Sequence, residues 1–216
     1  MGKGTTIGKI KNSIASRNRN IHETSIIEKD AIMGENVSVA QFSRIMSMCT
    51  IGNETTIGQN VFIDNNVSIG NYCNIQNNVC LIAGVQCMDN VYIGASVIFT
   101  DVFYAHLRAS VNAKRELQHT IIEKGVTIGA NSTIICGVNI GAFAFIAAGS
   151  LIINDVRPYA LISGNPAKQI GWMSEHGTKL NFLNKDRIAV CSKSGYAYKL
   201  EKNHVYKIDP THRITI

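Results

Sequence analysis

One stretch of this 216-residue sequence brings together several side chains able to move a proton or grip an anion. Residues 101–119 read DVFYAHLRASVNAKRELQH and carry His106, Arg108, Lys114, Arg115, Glu116 and His119. His106 and His119 are the only histidines between positions 23 and 175, and either could serve as general base on a hydroxyl near neutral pH. A carboxylate at Glu116 could accept a proton through a water. A second polar cluster, Gln76-Asn77-Asn78, offers amides to a polar substrate. Two histidines thirteen apart fall short of the three that a catalytic zinc site needs, and the six cysteines contain no CxxC pair. No metal is expected.

The charge balance excludes other classes. The net charge is +6, but Lys3, Lys9, Lys11, Arg17 and Arg19 lie in the first twenty residues, which hold no acid. The rest of the chain is close to neutral, so the charge marks an arm, which reads as a solvated tail or as an arm that helps hold polyanionic ligands. A nucleic-acid face would need a basic stripe interleaved with aromatics on the folded body, and the sequence has none. Hydrophobic residues make up 45% and charged residues 17%, ordinary globular usage. No apolar run approaches the roughly 18 residues of a membrane span, and the N-terminus lacks the apolar segment of a secretory signal. A cytoplasmic protein is expected.

The elements that must hold these residues follow from a repeat of six. From Ile27, every sixth residue is apolar through Met33, Val39, Ile45, Ile51, Ile57, Ile63, Ile69, Ile75, Leu81, Cys87, Ile93 and Phe99. The residue two places before each is small or β-branched. The pattern resumes at Ile122 and runs to Ile152. A helix would scatter every sixth residue over drifting faces, and a flat sheet needs only period two. Period six suits a triangular coil in which three short strands make a turn of 18 and the large aliphatics fill the interior. Cys49, Cys73 and Cys87 fall on this pattern and read as small buried hydrophobes in a reducing compartment. Glycine follows the core residue at Gly52, Gly58, Gly70, Gly94, Gly129 and Gly141, and with asparagine is assigned to tight corners.

The step from Phe99 to Ile122 is not a multiple of six, so residues from about 101 to 119 leave the coil as a loop. A long loop expelled from a rigid scaffold is a good place for function. Three parts result: a basic arm at 1–21, a coil at 22–170 with its loop at 101–119, and a tail at 171–216.

The Ile-Gly-x-x-x-x repeats resemble the hexapeptide-repeat acyltransferases. That resemblance implies an all-β, left-handed parallel β-helix of about six coils, an exception to the right-handed crossover rule. It also implies a homotrimer with active sites between subunits and acetyl-CoA as co-substrate. "IGQNVFI" at 57–63, "IQNNVCL" at 75–81, "VIFTDVF" entering the loop and "YALISGNPAKQIGWMSEHG" at 159–177 narrow it. Together they look like the nucleotide-linked 3-amino-sugar N-acetyltransferases of bacterial surface-polysaccharide pathways, including lipopolysaccharide O-antigen. The tail is then expected to hold a short helix and a β-hairpin.

Site residues follow from the same resemblance. Asn77 is expected to orient the sugar amine, with His106 and Glu116 as further catalytic candidates. Gln76, Asn78, Arg108 and His119 are the candidate contacts to a dTDP- or UDP-linked sugar. CoA is expected in a groove along the late coils, where Ala147, Ala148 and Gly149 let a ligand approach closely and Lys168 meets its phosphates. Three rivals remain: a sugar O-acetyltransferase using a loop histidine, a β-helical zinc carbonic anhydrase, and a non-enzymatic rod.

Overall fold

A computed structural model describes residues 19–101 and 118–208. Twenty two- and three-residue strands wind about seven times around a triangular prism, one turn more than expected. The first wall stacks β1 (Asn20–Ile21), β4 (Ser38–Val39), β7 (Thr56–Ile57), β10 (Asn74–Ile75), β13 (Tyr92–Ile93), β16 (Thr127–Ile128) and β19 (Phe145–Ile146). The second stacks β2 (Ile26–Ile27), β5 (Arg44–Ile45), β8 (Phe62–Ile63), β11 (Cys80–Leu81), β14 (Ile98–Phe99), β17 (Thr133–Ile134) and β20 (Leu151–Ile152). The third stacks β3 (Ile32–Met33), β6 (Thr50–Ile51), β9 (Ser68–Ile69), β12 (Val85–Cys87), β15 (Thr120–Ile122) and β18 (Asn139–Ile140). All pairings within these stacks are parallel, and Ile57, Ile75 and Ile93 align as one ladder. The coil agrees with the left-handed parallel β-helix.

The period of six survives as burial. Ile45, Ile51, Ile63, Ile69, Ile75, Ile93, Ile122 and Ile128 are buried in a single core. Each such side chain contributes about 1.5–3 kcal/mol. Ile27 is only half-buried, because it lies at the open end of the stack. The small residue two places earlier follows each corner; at Ser25, Ser43 and Thr55 its hydroxyl bonds the next turn, while Ser150 bonds the Ala147 carbonyl of its own corner. Thr55 Oγ1 donates to the Gly70 carbonyl (2.9 Å) and accepts from Cys73 N–H (3.1 Å). Ser43 Oγ makes the same pair of bonds with Gly58 and Val61.

The glycines after the core residues serve a purpose other than the one expected. The left-handed corner conformation belongs instead to residues such as Asn60 (φ 54°) and Asn78 (φ 60°). Gly58 and Gly129 are needed because the next turn passes close by. A Cβ on Gly58 would lie 2.5 Å from Asn77 Oδ1, and one on Gly129 would lie 2.4 Å from Ala148 N.

The break in register falls where the sequence places it. Strand β14 ends at Phe99, β15 starts at Thr120, and the coil closes over the gap by pairing Val85 with Thr120 and Cys87 with Ile122. At the other boundaries the structure differs. The coil begins at Asn20, inside the expected arm, because Asn20 and Ile21 already pair with Ser38 and Val39. The expected helix after residue 170 is absent among the described residues. Instead β21 (Ala160–Gly164) and β22 (Ala167–Met173) form an antiparallel hairpin across the Asn165–Pro166 turn. The reason is legible afterwards: Ala167 and Gln169 are more buried than Lys168 and Ile170, a period of two. The boundary at 170 therefore cuts a strand. Beyond β23 (Lys179–Leu180), β24 (Ile188–Val190), β25 (Ala197–Glu201) and β26 (His204–Ile208) make a separate antiparallel sheet. Tyr159 ties that sheet to the coil: its hydroxyl donates to Glu175 (3.1 Å), which also pairs with Lys207 (2.8 Å). Burial and the neighbouring Glu175 charge push the Tyr159 phenol well up.

Candidate active site

Three edges separate the walls, and each is a column of two-residue corners. Edge one joins the first wall to the second. It carries Gln41-Phe42, Gln59-Asn60, Asn77-Asn78, Ala95-Ser96, Ala130-Asn131 and Ala148-Gly149, stacked by backbone bonds from Asn60 to Gln41, Asn78 to Gln59, Ser96 to Asn77, Asn131 to Ala95 and Gly149 to Ala130. Asn77 and the Ala147-Ala148-Gly149 stretch, assigned separately from sequence, therefore share one edge. Gln76 lies beside Asn77 and bonds Asn74 (2.6 Å).

Asn77 is exposed, and its Oδ1 accepts from the Gln59 N–H a turn earlier (2.8 Å). Asn78 Oδ1 accepts from Asn60 Nδ2 (2.9 Å). The Asn77 contact also occurs at edge three, between the third and first walls, where Asn53, Asn71 and Asp89 cap the N–H of Glu35, Asn53 and Asn71. The capping position of edge one turns to alanine below Asn77. A methyl cannot accept a hydrogen bond, so Ala95, Ala130 and Ala148 leave the N–H groups of Asn77, Ala95 and Ala130 without that cap. Beside them the first wall presents Gly94, Gly129 and Ala147. The result is a trough of small side chains with backbone N–H groups along it, headed by the polar Gln76-Asn77-Asn78.

The trough runs down to the terminal hairpin. Ala147 N–H donates to the Ile162 carbonyl (2.9 Å). Ser163, the next residue, pairs across the hairpin with Lys168, which is exposed. The hairpin thus sets a cation at the foot of edge one. Gly94, Ala95, Ser96, Gly129, Ala130 and Asn131 complete the trough, and sequence reasoning did not assign them to it. Counting the eighteen-residue stride across the excursion would have found them.

His106, Arg108 and Glu116 lie outside the described residues. His119 is exposed on edge two, between the second and third walls, with its Nδ1 3.4 Å from Gln86 Nε2. The whole width of the second wall separates it from Asn77. That wall has the most apolar outer face of the three: Ile26, Phe62 and Ile98 are exposed, Cys80, Ile82, Ile135 and Leu151 are half-buried among them, and the exposed Arg44 stands between Ile26 and Phe62. Burial, aided by the charges of Asp64 and Asp101, pushes the Cys80 thiol up. The first and third walls present mostly Ser38, Thr56, Asn74, Thr127, Thr50, Ser68, Gln86 and Asn139.

Residues 119–153 match the family described as the hexapeptide repeat of succinyl-transferase. Over 74 residues the chain is 42% identical to a dTDP-3-amino-3,6-dideoxy-alpha-D-galactopyranose 3-N-acetyltransferase of Aneurinibacillus thermoaerophilus, a match covering 34% of this chain and 38% of the relative. Over 58 residues it is 45% identical to serine acetyltransferase 4 of Arabidopsis thaliana, covering 27% of this chain and 16% of that protein. The matched stretch thus spans little more than a third of the sugar acetyltransferase and less of the serine enzyme. Among solved structures, a hexapeptide-repeat acetyltransferase of Vibrio cholerae, complexed with acetyl-CoA, superimposes with a TM-score of 0.51 at 27% identity, covering 57% of this chain and 70% of that one. The coil and its repeat are common ground between this chain and these acetyltransferases.

Proposed function

We propose that this protein transfers acetyl from acetyl-CoA to the amine of a dTDP- or UDP-linked 3-amino sugar, as a homotrimer with active sites between subunits. The observation that carries the reading is edge one: one side chain able to orient an amine, a trough able to take a slender arm, and a cation at its foot, all in one column.

The chemistry needs little from the protein beyond placement. A neutral sugar amine is a good nucleophile, so alignment matters more than a strong base. Asn77 Oδ1 has two lone pairs, of which Gln59 N–H takes one and holds the group still. The other accepts an N–H of the sugar amine. The uncapped N–H groups of Asn77 and Ala95 lie beside it, suited to the charge that develops on the acyl oxygen. Farther down, the N–H groups of Ala130 and Ala148 suit the amide carbonyls of the pantetheine arm, and Lys168 suits the phosphates. The trough residues fit acetyl-CoA sterically because a larger side chain at Ala147 or Ala148 would stand in its path.

The apolar face of the second wall supports the trimer. Cyclic packing around its apolar face sets edge one of one subunit beside edge two of the next. The excursion at edge two, with His106, Arg108, Glu116 and His119, then borders the neighbour's Asn77. Those residues are assigned to sugar contacts and to carrying the released proton to solvent. A place in surface-polysaccharide assembly is part of the same reading and rests on the family resemblance of the sequence.

A mass-spectrometric assay tests it, with acetyl-CoA against dTDP- and UDP-linked 3-amino sugars and their 3-hydroxy counterparts. Acetylation of the amines alone is expected. Transfer to the hydroxyls alone would contradict it and install a loop histidine as base.

A further inference from the structure

Each edge carries one large exposed side chain in its upper turns. Phe42 on edge one is 70% exposed, Met48 on edge two 60%, and Tyr72 on edge three 62%. All three occupy left-handed corners, with φ of 61°, 59° and 57°. Bulky residues are strained there, and asparagine is more at ease. The next two corners below Phe42 use Asn60 and Asn78. A phenylalanine in this place gives up backbone comfort and buries little of its ring in its own chain.

Phe42 differs from the other two in what lies along its edge. Asn78 is two turns away, roughly 10 Å at the spacing of paired strands. Between them stand Gln59 and Asn60. Arg44, two residues on, extends from the second wall with its side chain 51% exposed and only a 3.7 Å contact to Glu28. The track has two directions from Asn77. Downward runs the small-residue trough to Lys168. The nucleotide of the acceptor is left with the upward direction, where it meets amides, a guanidinium and an exposed aromatic face.

We propose that Phe42 is the stacking platform for the nucleobase of the acceptor, with Arg44 meeting the diphosphate. The ligand chemistry is a nucleoside diphosphate, and the inference rests on the acceptor reading above. An aromatic face holds any base by its π-surface, and Arg pairs with phosphate in a bidentate fork. Two substrates then reach the transfer point from opposite ends of one edge without sharing space.

The test uses the full chain with dTDP and UDP as probes, binding measured by calorimetry and assembly by light scattering. Phe42→Asn removes the ring while giving the corner a residue that suits it. A purely structural Phe42 would make this variant neutral or better. The expected result is an unchanged or higher Tm, an unchanged trimer and acetyl-CoA KM, and dTDP and UDP binding weakened roughly 5- to 100-fold. Phe42→Trp retains binding, Tyr72→Asn leaves it unaltered, and Arg44→Ala flattens its salt dependence. Binding by Phe42→Asn as tight as wild type overturns the proposal. So does dissociation of its trimer, which would assign the ring to a subunit contact. If wild type itself binds neither nucleotide, the acceptor reading fails first, a result separable from both.

Discussion

Edge one and edge three begin alike and end differently. Both stack corner pairs at the same stride, and on both an amide or carboxylate oxygen caps an N–H one turn earlier, Asn77 on Gln59 and Asn71 on Asn53. On edge three the caps continue down to Asp89. On edge one they stop at Asn77, and alanines follow. From Glu35 to Asp89 edge three is a closed column that holds turns together, and below Asp89 its corners carry Lys124 and Ala142. Edge one trades that closure for a line of available backbone donors. The same scaffold unit becomes structural or functional according to whether the next turn offers an acceptor.

The sharpest way to break the comparison is to make the same change on both edges. Asn77→Ala and Asn71→Ala each remove one solvent-exposed cap, costing about 0.5–1.5 kcal/mol. Only Asn77→Ala is expected to lower kcat, on the order of a hundredfold, with the trimer intact by light scattering. Equal activities would reduce Asn77 to a corner residue. Next in size is the second wall. Ile98→Arg puts a charge on its apolar face and is expected to yield folded monomers with little activity, while Ser68→Arg on the third wall leaves assembly unchanged. Size-exclusion chromatography with circular dichroism reads both.

Ala95→Asn sharpens the comparison from the other side. It rebuilds on edge one the cap that edge three keeps, satisfying the Asn77 N–H. Stability should rise by about 0.5–1.5 kcal/mol by chemical denaturation, while kcat falls about tenfold or more. The smallest effect is at the foot of the trough. Lys168→Ala should raise the acetyl-CoA KM several-fold, leave kcat alone and weaken the salt dependence of KM.

The register of the core was open to sequence reading because the fold is one-dimensional. A stride of six maps directly onto burial, so the isoleucine column from Ile45 to Ile152 and the break after Phe99 could be placed by counting. The terminal hairpin was missed because its signal is short: one alternation at Ala167, Lys168, Gln169 and Ile170 beside a Gly-Asn-Pro turn. The glycines resist sequence reading because close approach between turns involves partners nineteen residues apart, such as Gly58 with Asn77. The site was half legible. Asn77 and Ala148 are each legible singly, but their common edge shows only when positions are compared by full turns across a break. That His119 stands across the second wall from Asn77 depends on the same bookkeeping. The uncapped N–H groups lie in the backbone and were hidden, since alanine signals them only by what it lacks.

Amide chemical shifts and exchange rates, followed residue by residue as acetyl-CoA is added, test the central claim most directly. Protection and shift changes at Asn77, Ala95, Ala130 and Ala148, with Glu35, Asn53 and Asn71 unmoved, are what an open edge one and a closed upper edge three predict. Perturbation centred on edge three, or spread equally over both, would contradict it.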